Sequence, residues 1–217
     1  MAKLPGQFIV LEGLEGAGKS TALTTIKRFL TPYVPELMTT REPGGTHVGE
    51  VIRDLIKQTP DTEPLLPRAE LLLFYAARIQ LIEQVIRPAL ARGAWVLADR
   101  FELSTWAYQG GGRGLDQNLI QHLSDFSVQD LRPNLILFLD LPPEQGLKRI
   151  LERGNPDRIE QEPVDFFNRV YMAYHEKLQT LEQAVLIDAS KPLAMVQHLI
   201  RTILEDYLVS HGIERIQ

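Results

Sequence analysis

Apolar positions change period several times along the 217 residues, and each change marks the edge of an element. Residues 7–11 form an apolar, β-rich run, and 21–30 have the spacing of one helical face. Residues 36–40 offer a short strand that runs into Arg41-Glu42-Pro43-Gly44-Gly45. From 46 to 57, Val48, Val51, Ile52, Leu55 and Ile56 make a stripe of period 3.6, with Thr46 available as N-cap. Residues 58–67, with three prolines, read as an exposed loop. The longest helical pattern covers 68–92, apolar almost throughout 71–86, and predicts a largely buried helix closed by Gly93. A strand is expected at 94–98, a helical turn at 104–109, a flexible basic glycine loop at 110–114 and a helix from Asp116 to about 130. Further on come a strand at 135–140, a helix at 143–153 with proline in its first turn, and a charged segment at 154–162 that reads as a lid. A helix over 164–183, a strand at 184–188 and a helix over 193–209 close the chain. Strands alternating with helices predict an α/β fold: a five-stranded parallel sheet covered by helices on both faces, with ligands at the carboxyl ends of the strands. One domain, 1–217, with a lid at about 150–162, is expected.

The strand-to-helix junction at 8–20, FIVLEGLEGAGKS, carries the first chemistry. Gly13, Gly18, Lys19 and Ser20 occupy the fixed positions of G-x-x-x-x-G-K-[ST], the phosphate-binding loop of P-loop NTPases. Backbone N–H groups of such a loop surround a phosphate, the lysine reaches the outer phosphates, and the hydroxyl ligates Mg²⁺. The following helix adds the positive end of its dipole.

Composition narrows the partners. A net charge of -5 lacks the basic surplus of a nucleic-acid footprint, so none is expected as a partner. With no cysteine, disulfides, thiol catalysis and Cys-ligated metals are excluded, which fits a reducing cytoplasm. Residues 1–10 lack a long apolar leader, and no run approaches the ~18 apolar residues of a membrane span, so a soluble cytoplasmic protein is expected.

Arg41 follows the second predicted strand, and Asp99 and Arg100 the third; in a doubly wound sheet these positions converge on the phosphate loop. Planar guanidinium groups there suit bidentate phosphate binding. Asp99 fits three roles: a partner of Arg100, a Mg²⁺ ligand through water, or an orienting group for substrate. Phe74 and Arg78, four apart on one helix, are either core packing with a salt bridge or a stacking plane and hydrogen-bond fork for a nucleobase.

Taken in order, EGLEGAGKST, TREPGGT at 40–46, LLLFYAAR at 71–78, DRFELSTWAYQGGGRG at 99–114 and RGNPDRIEQE at 153–162 resemble the motifs of bacterial thymidylate kinases over about residues 8–190. The resemblance implies a nucleoside monophosphate kinase-like fold, phosphorylation of dTMP to dTDP with ATP and Mg²⁺, and a homodimer through helices near 46–57 and 70–91. It implies that Gly13, Leu14, Glu15, Gly16, Ala17, Gly18, Lys19, Ser20 and Thr21 hold ATP. Arg41 and Arg100 would hold the dTMP phosphate, Glu15 the deoxyribose 3′-hydroxyl, and Phe74 and Arg78 the base. Ser104 and Gln109 would line that pocket, and Phe101 would crowd the ribose 2′ position. Ser20 and Asp99 would serve the metal.

The variable loop positions here contain no arginine, whereas Arg149, Arg153 and Arg158 lie in or beside the lid. This pattern resembles the lid-arginine, Escherichia-like type, with Arg153 as the catalytic arginine beside Lys19, Arg100 and Asp99, and Arg149 and Arg158 on ATP. Phe101 stands where many family members carry tyrosine or histidine, and Asn155-Pro156 stiffens the lid tip. Three rivals share the phosphate loop. A regulatory GTPase would need N-K-x-D and D-x-x-G signatures that are missing; a DNA-partner ATPase would need a basic surface; a kinase for another nucleoside monophosphate or a deoxynucleoside is the nearest alternative.

Overall fold

The structure, a computed structural model, describes residues 6–58 and 62–216. Residues 1–5, 59–61 and 217 lie outside it, so the expected leader-free terminus and part of the expected proline-rich loop are not tested by it.

Among the described residues five parallel strands form one sheet in the order β2-β3-β1-β4-β5: β1 Phe8–Gly13, β2 Leu37–Arg41, β3 Trp95–Asp99, β4 Leu135–Asp140 and β5 Ala184–Asp188. The register pairs Val10 with Ala98 and Ile136, and Thr40 with Ala98. The three inner strands are apolar at nearly every position because both faces are covered. Alternate side chains serve different cores. Phe8, Val10, Val96, Ala98, Ile136 and Phe138 point to one; Ile9, Leu11, Trp95, Leu97, Leu135 and Leu137 point to the other. Period-2 geometry, with both sets apolar, is what turns an alternating strand into an uninterrupted apolar run.

The first core is closed by α3 (Pro67–Leu81), a π-helical turn at Ile82–Ile86, α4 (Arg87–Ala91) and α8 (Val164–Leu178). Helices α1 (Lys19–Leu30) and α9 (Leu193–Ser210) close the second. The long helix expected at 68–92 is therefore interrupted by one wider turn. Helix α2 (His47–Lys57) starts where expected, with Thr46 Oγ1 accepting from Gly49 N at 3.0 Å.

The expectation for 104–114 needs correction. A short helix, α5 (Glu102–Thr105), leads into a π-helical segment Trp106–Gly112, so the glycines continue a helix where a flexible loop was expected. Their role is close approach: a Cβ on Gly111 would sit 2.8 Å from the carbonyl oxygen of Arg169, and one on Gly112 would sit 2.5 Å from the Phe166 ring. Helix α8 can lie against this segment because nothing projects from it. Helix α6 (Gln117–Ser127) follows, capped by Asp116 through Asn118 N at 2.8 Å, and α7 (Pro143–Arg153) occupies the expected span. The expected helix over 164–183 ends earlier, at Leu178.

Candidate active site

The carboxyl ends of β1, β2 and β3 open into a cavity of about 460 Å³, enough for nucleotide-sized ligands. Its floor is the glycine loop after β1. That loop runs against α7: a Cβ on Gly16, at φ 74°, would meet Gly146 O at 2.4 Å, so the turn and the contact both require glycine. Gly13, Leu14 and Ala17 are buried beneath the loop, while Gly16, Gly18, Lys19, Ser20 and Thr21 line the cavity. Lys19 Nζ donates to Gly13 O at 2.9 Å and Leu14 O at 2.7 Å. Burial, helped by the nearby Arg100 charge, pushes its pKa down to about 8, against the pull of Glu15 and Asp99.

Beside the loop, Arg100 stands just beyond β3 with φ 69°, unusual for a residue with a side chain. Both terminal nitrogens of its guanidinium are engaged: Nη1 donates to Ser104 Oγ and Tyr174 OH, both at 3.0 Å, and Nη2 to Glu15 Oε1 at 2.6 Å and Tyr108 OH at 3.2 Å. Tyr108 OH also donates to Glu15 Oε2. Arg41, at the end of β2, reaches the same cavity but is 52% exposed and paired to Glu50 at 2.6 Å. Asp99 lines the cavity between them, and its Oδ1 is buried with no hydrogen-bond partner among the described residues.

Helix α3 supplies the far wall. Phe74 is 9% exposed, packed with Ile52, Ile56 and Ala77 and facing the cavity. Arg78 is fully buried. Its Nε donates to Glu42 Oε1 at 2.7 Å and its Nη2 to Glu42 and, at 2.6 Å, to Thr105 Oγ1, while Nη1 has no partner among the described residues. Burial presses the Arg78 pKa down, and Glu42 more than offsets it, so the guanidinium holds its proton firmly. The structure shows the first reading of the Phe74–Arg78 pair, core packing and a buried ion pair, and both residues also line the cavity. Gln109 also lines it, donating to Glu70 Oε1 at 2.8 Å. Phe101 is almost wholly in the core, edge-on to Phe8 at 5.0 Å, with only a margin on the cavity.

The segment expected as a lid lies over the α2–α3 side. Ile159 packs against the cluster that holds Phe74, and Lys57 pairs with Asp157 at 2.8 Å. The three lid arginines diverge. Arg153 lines the cavity and pairs with Glu160 at 2.6 Å. Arg149 also lines it, donating to Gly16 O at 3.1 Å and Ala189 O at 3.3 Å. Arg158 does not: it donates to Ile56 O at 2.8 Å and to the buried carboxylate of Glu70. Burial would raise the Glu70 pKa, but Arg113, Arg158 and Gln109 together hold it below the ordinary carboxylate range.

Several residues here escaped the sequence reading: Glu12, Glu42, Arg53, Glu70, Tyr108 and Tyr174. Two of them carried a signal. Glu12 is a carboxylate inside a strand buried on both faces, which requires partners, and Glu42 sits within the motif TREPGGT. Glu70 and Tyr174 gain meaning only from neighbours far away in the chain.

Comparison with known proteins agrees with this geometry. A family model described as thymidylate kinase matches residues 11–200. Proteins named thymidylate kinase from Legionella pneumophila strains Corby and Paris are each 50% identical over 208 residues, 96% of this chain and 98% of theirs.

Proposed function

The chain belongs to the thymidylate kinase family, and from that premise we propose how its own residues carry the reaction. The enzyme phosphorylates dTMP to dTDP with ATP as co-substrate, a step toward dTTP. One observation supports the residue assignment above the others: α3 brings Phe74 and Arg78 onto the cavity that also holds the phosphate loop, and Arg78 Nη1 has no partner among the described residues.

In this reading thymine stacks on Phe74 and accepts a hydrogen bond from Arg78 Nη1. Arg100 and Arg41 hold the acceptor phosphate, Arg41 after releasing Glu50, and Glu15 takes the 3′-hydroxyl. Ser104 and Gln109 line the pocket, and Phe101 bounds it. ATP lies on the loop from Gly13 to Thr21, with Arg149 beside it. Mg²⁺ fits the donors present. Asp99 Oδ1, buried and unpartnered, and the Ser20 hydroxyl at the cavity are hard oxygen ligands, and such a cation takes its remaining ligands from water and phosphates. When bound, it neutralises charge on the phosphate oxygens.

No general base is required. A phosphate monoester has a second pKa near ~6, so the acceptor is already a nucleophilic dianion at neutral pH. What remains is to bring two anions into line and stabilise a loose transition state, which falls to Lys19, Arg100 and a lid arginine. Arg153 is our assignment for that arginine, placing the chain in the lid-arginine, Escherichia-like type. Arg158, anchored on buried Glu70, supports the lid. Closing the lid at about 150–162 over the single domain excludes water as a competing acceptor.

We further propose a cytoplasmic homodimer. Among the described residues no helix is long and apolar enough to cross a membrane. Val48 and Val51 on α2 and Leu72 on α3 expose apolar surface on the helices expected to meet a second copy. A Val51→Glu variant with the parent's mass in solution by light scattering would argue against that interface. The reaction itself is tested by coupled assays with each nucleoside monophosphate: dTMP should be preferred by kcat/KM, and preference for another acceptor would overturn the assignment.

A further inference from the structure

A charged residue in the middle of a parallel sheet is stable only if every lone pair is used. Glu12, in β1, is fully buried and meets that condition. Its Oε1 accepts from Phe101 N at 2.9 Å and Ser104 N at 3.3 Å, the backbone just after Arg100. Its Oε2 accepts from Ser104 Oγ at 2.7 Å and Tyr174 OH at 2.9 Å. Burial raises the Glu12 pKa, against the pull of Arg100; in its ionised form the carboxylate accepts only, and both hydroxyls, 2.8 Å from one another, face it. Both hydroxyl oxygens also accept from Nη1 of Arg100. Glu12 itself stands 4.0 Å from that nitrogen, and neither Glu12 nor Tyr174 lines the main cavity.

We infer that Glu12 and Tyr174 are positioning residues for Arg100: the carboxylate holds the backbone that keeps Arg100 at φ 69° and polarises two hydroxyls that fix its guanidinium. One edge of the arginine is thereby immobilised away from the ligand, and the other faces Glu15 and the phosphate loop. The inference rests on the proposed role of Arg100 toward the acceptor phosphate.

Glu12→Gln keeps the shape but replaces one accepting oxygen with an NH₂ that must donate, so one pair of incoming donors is lost. Tyr174→Phe keeps the ring against Phe138 and Tyr108, which preserves the core, and removes one hydroxyl. A hydrogen bond to a charged group is worth ~1.5–3 kcal/mol, so each variant should lower kcat/KM for dTMP by about ten- to a hundredfold. KM for ATP should stay within about twofold, and Tyr174→Phe, which takes one hydrogen bond from buried Glu12, should still fold, with a lowered Tm. Arg100→Ala is the reference. If Arg100→Ala leaves dTMP kinetics unchanged, the role given to Arg100 is wrong. If it impairs dTMP use while Tyr174→Phe and folded Glu12→Gln behave like the parent, or lose both substrates equally, the positioning inference is overturned and the network is packing alone. Should Glu12→Gln fail to fold, Tyr174→Phe decides by the same split.

Discussion

Replacing Arg153 with alanine separates stability from catalysis more cleanly than any other change at this site. Its side chain is 57% exposed and is paired, among the described residues, with Glu160 at 2.6 Å. A pair whose arginine lies this open to solvent contributes ~0–1 kcal/mol, and Glu160 keeps a second hydrogen bond, from Asp157 N at 3.0 Å, so the variant should fold and melt within a few degrees of the parent. The rate should behave otherwise. An arginine placed on a migrating phosphoryl group is worth about 10³–10⁵ in kcat, which corresponds to ~4–7 kcal/mol at ~1.4 kcal/mol per tenfold. The loss should fall on kcat, with KM for ATP and dTMP moving little, because the interaction forms only in the transition state. Arg158→Ala is the counterpart. It strips one donor from Glu70, which is buried and already shared with Arg113 and Gln109, so its cost should appear first as a lower Tm. The assay is steady-state dTDP formation with both substrates varied. A kcat for Arg153→Ala within about threefold of the parent would refute the assignment; if Arg158→Ala alone abolished turnover, the catalytic role would pass to Arg158.

Lys19 has its pKa pushed down to about 8 in the free enzyme, so it loses its proton as pH rises through that value, and kcat/KM for ATP should fall above about pH 8. Bound phosphates favour the charged amine, so kcat should hold to higher pH; identical profiles would argue against Lys19 on the phosphates. The sign for stability is opposite. A lysine whose folded pKa lies below its unfolded value of ~10.4 makes the unfolded state the better proton binder between the two. The free enzyme should therefore gain stability relative to Lys19→Met from about pH 8 upward. Phe74→Ala should raise KM for dTMP by about ten- to a hundredfold, since stacking is worth ~1–3 kcal/mol per base, and leave KM for ATP alone. It should also lower Tm, because the ring packs on Ile52 and Ile56; loss of stability without a dTMP-specific effect would leave core packing as its whole role.

The sheet was legible because period and punctuation coincide. The strands at 135–140 and 184–188 lie where the apolar runs and their flanking turns put them, and the five carboxyl ends share one edge. That topology is also why Arg41, Asp99 and Arg100, far apart in the chain, belong on one cavity. Local rules failed where tertiary contact overrides them. Glycines at 110–112 read as a breaker, yet the packing of α8 demands a surface without side chains, and the segment stays helical. The π-helical turn at Ile82–Ile86 leaves no mark in a pattern whose apolar residues, Leu81, Ile82, Val85 and Ile86, keep helical spacing. In the site, side chains after strands were legible and their partners were not. Tyr174 reads as one more apolar-face residue of α8, and Glu70 as an acidic residue in a first helical turn. Their hydrogen bonds span 74 and 88 residues of sequence.

The arginines of this site divide by their own exposure, and the division predicts which of them move. Arg78 is bound to Glu42 with both side chains buried, and Arg100 to Glu15 with Glu12 behind it. Breaking a buried pair strands a charge in a poor dielectric at a cost of ~3–5 kcal/mol, so these two must meet the substrate as they stand. Arg41 and Arg153 are 52% and 57% exposed in their pairs with Glu50 and Glu160, where solvent reaches the guanidinium, each pair is worth ~0–1 kcal/mol and a phosphate dianion outcompetes the carboxylate. The fixed arginines thus shape the acceptor pocket before binding, while the loose ones close on charge as it arrives. A crystal structure with a bisubstrate analogue should show Arg41 off Glu50 and Arg153 off Glu160, with the Arg78–Glu42 contact unchanged. If Arg78 has left Glu42 in that complex while Arg41 and Arg153 keep their surface partners, burial does not govern which arginines respond.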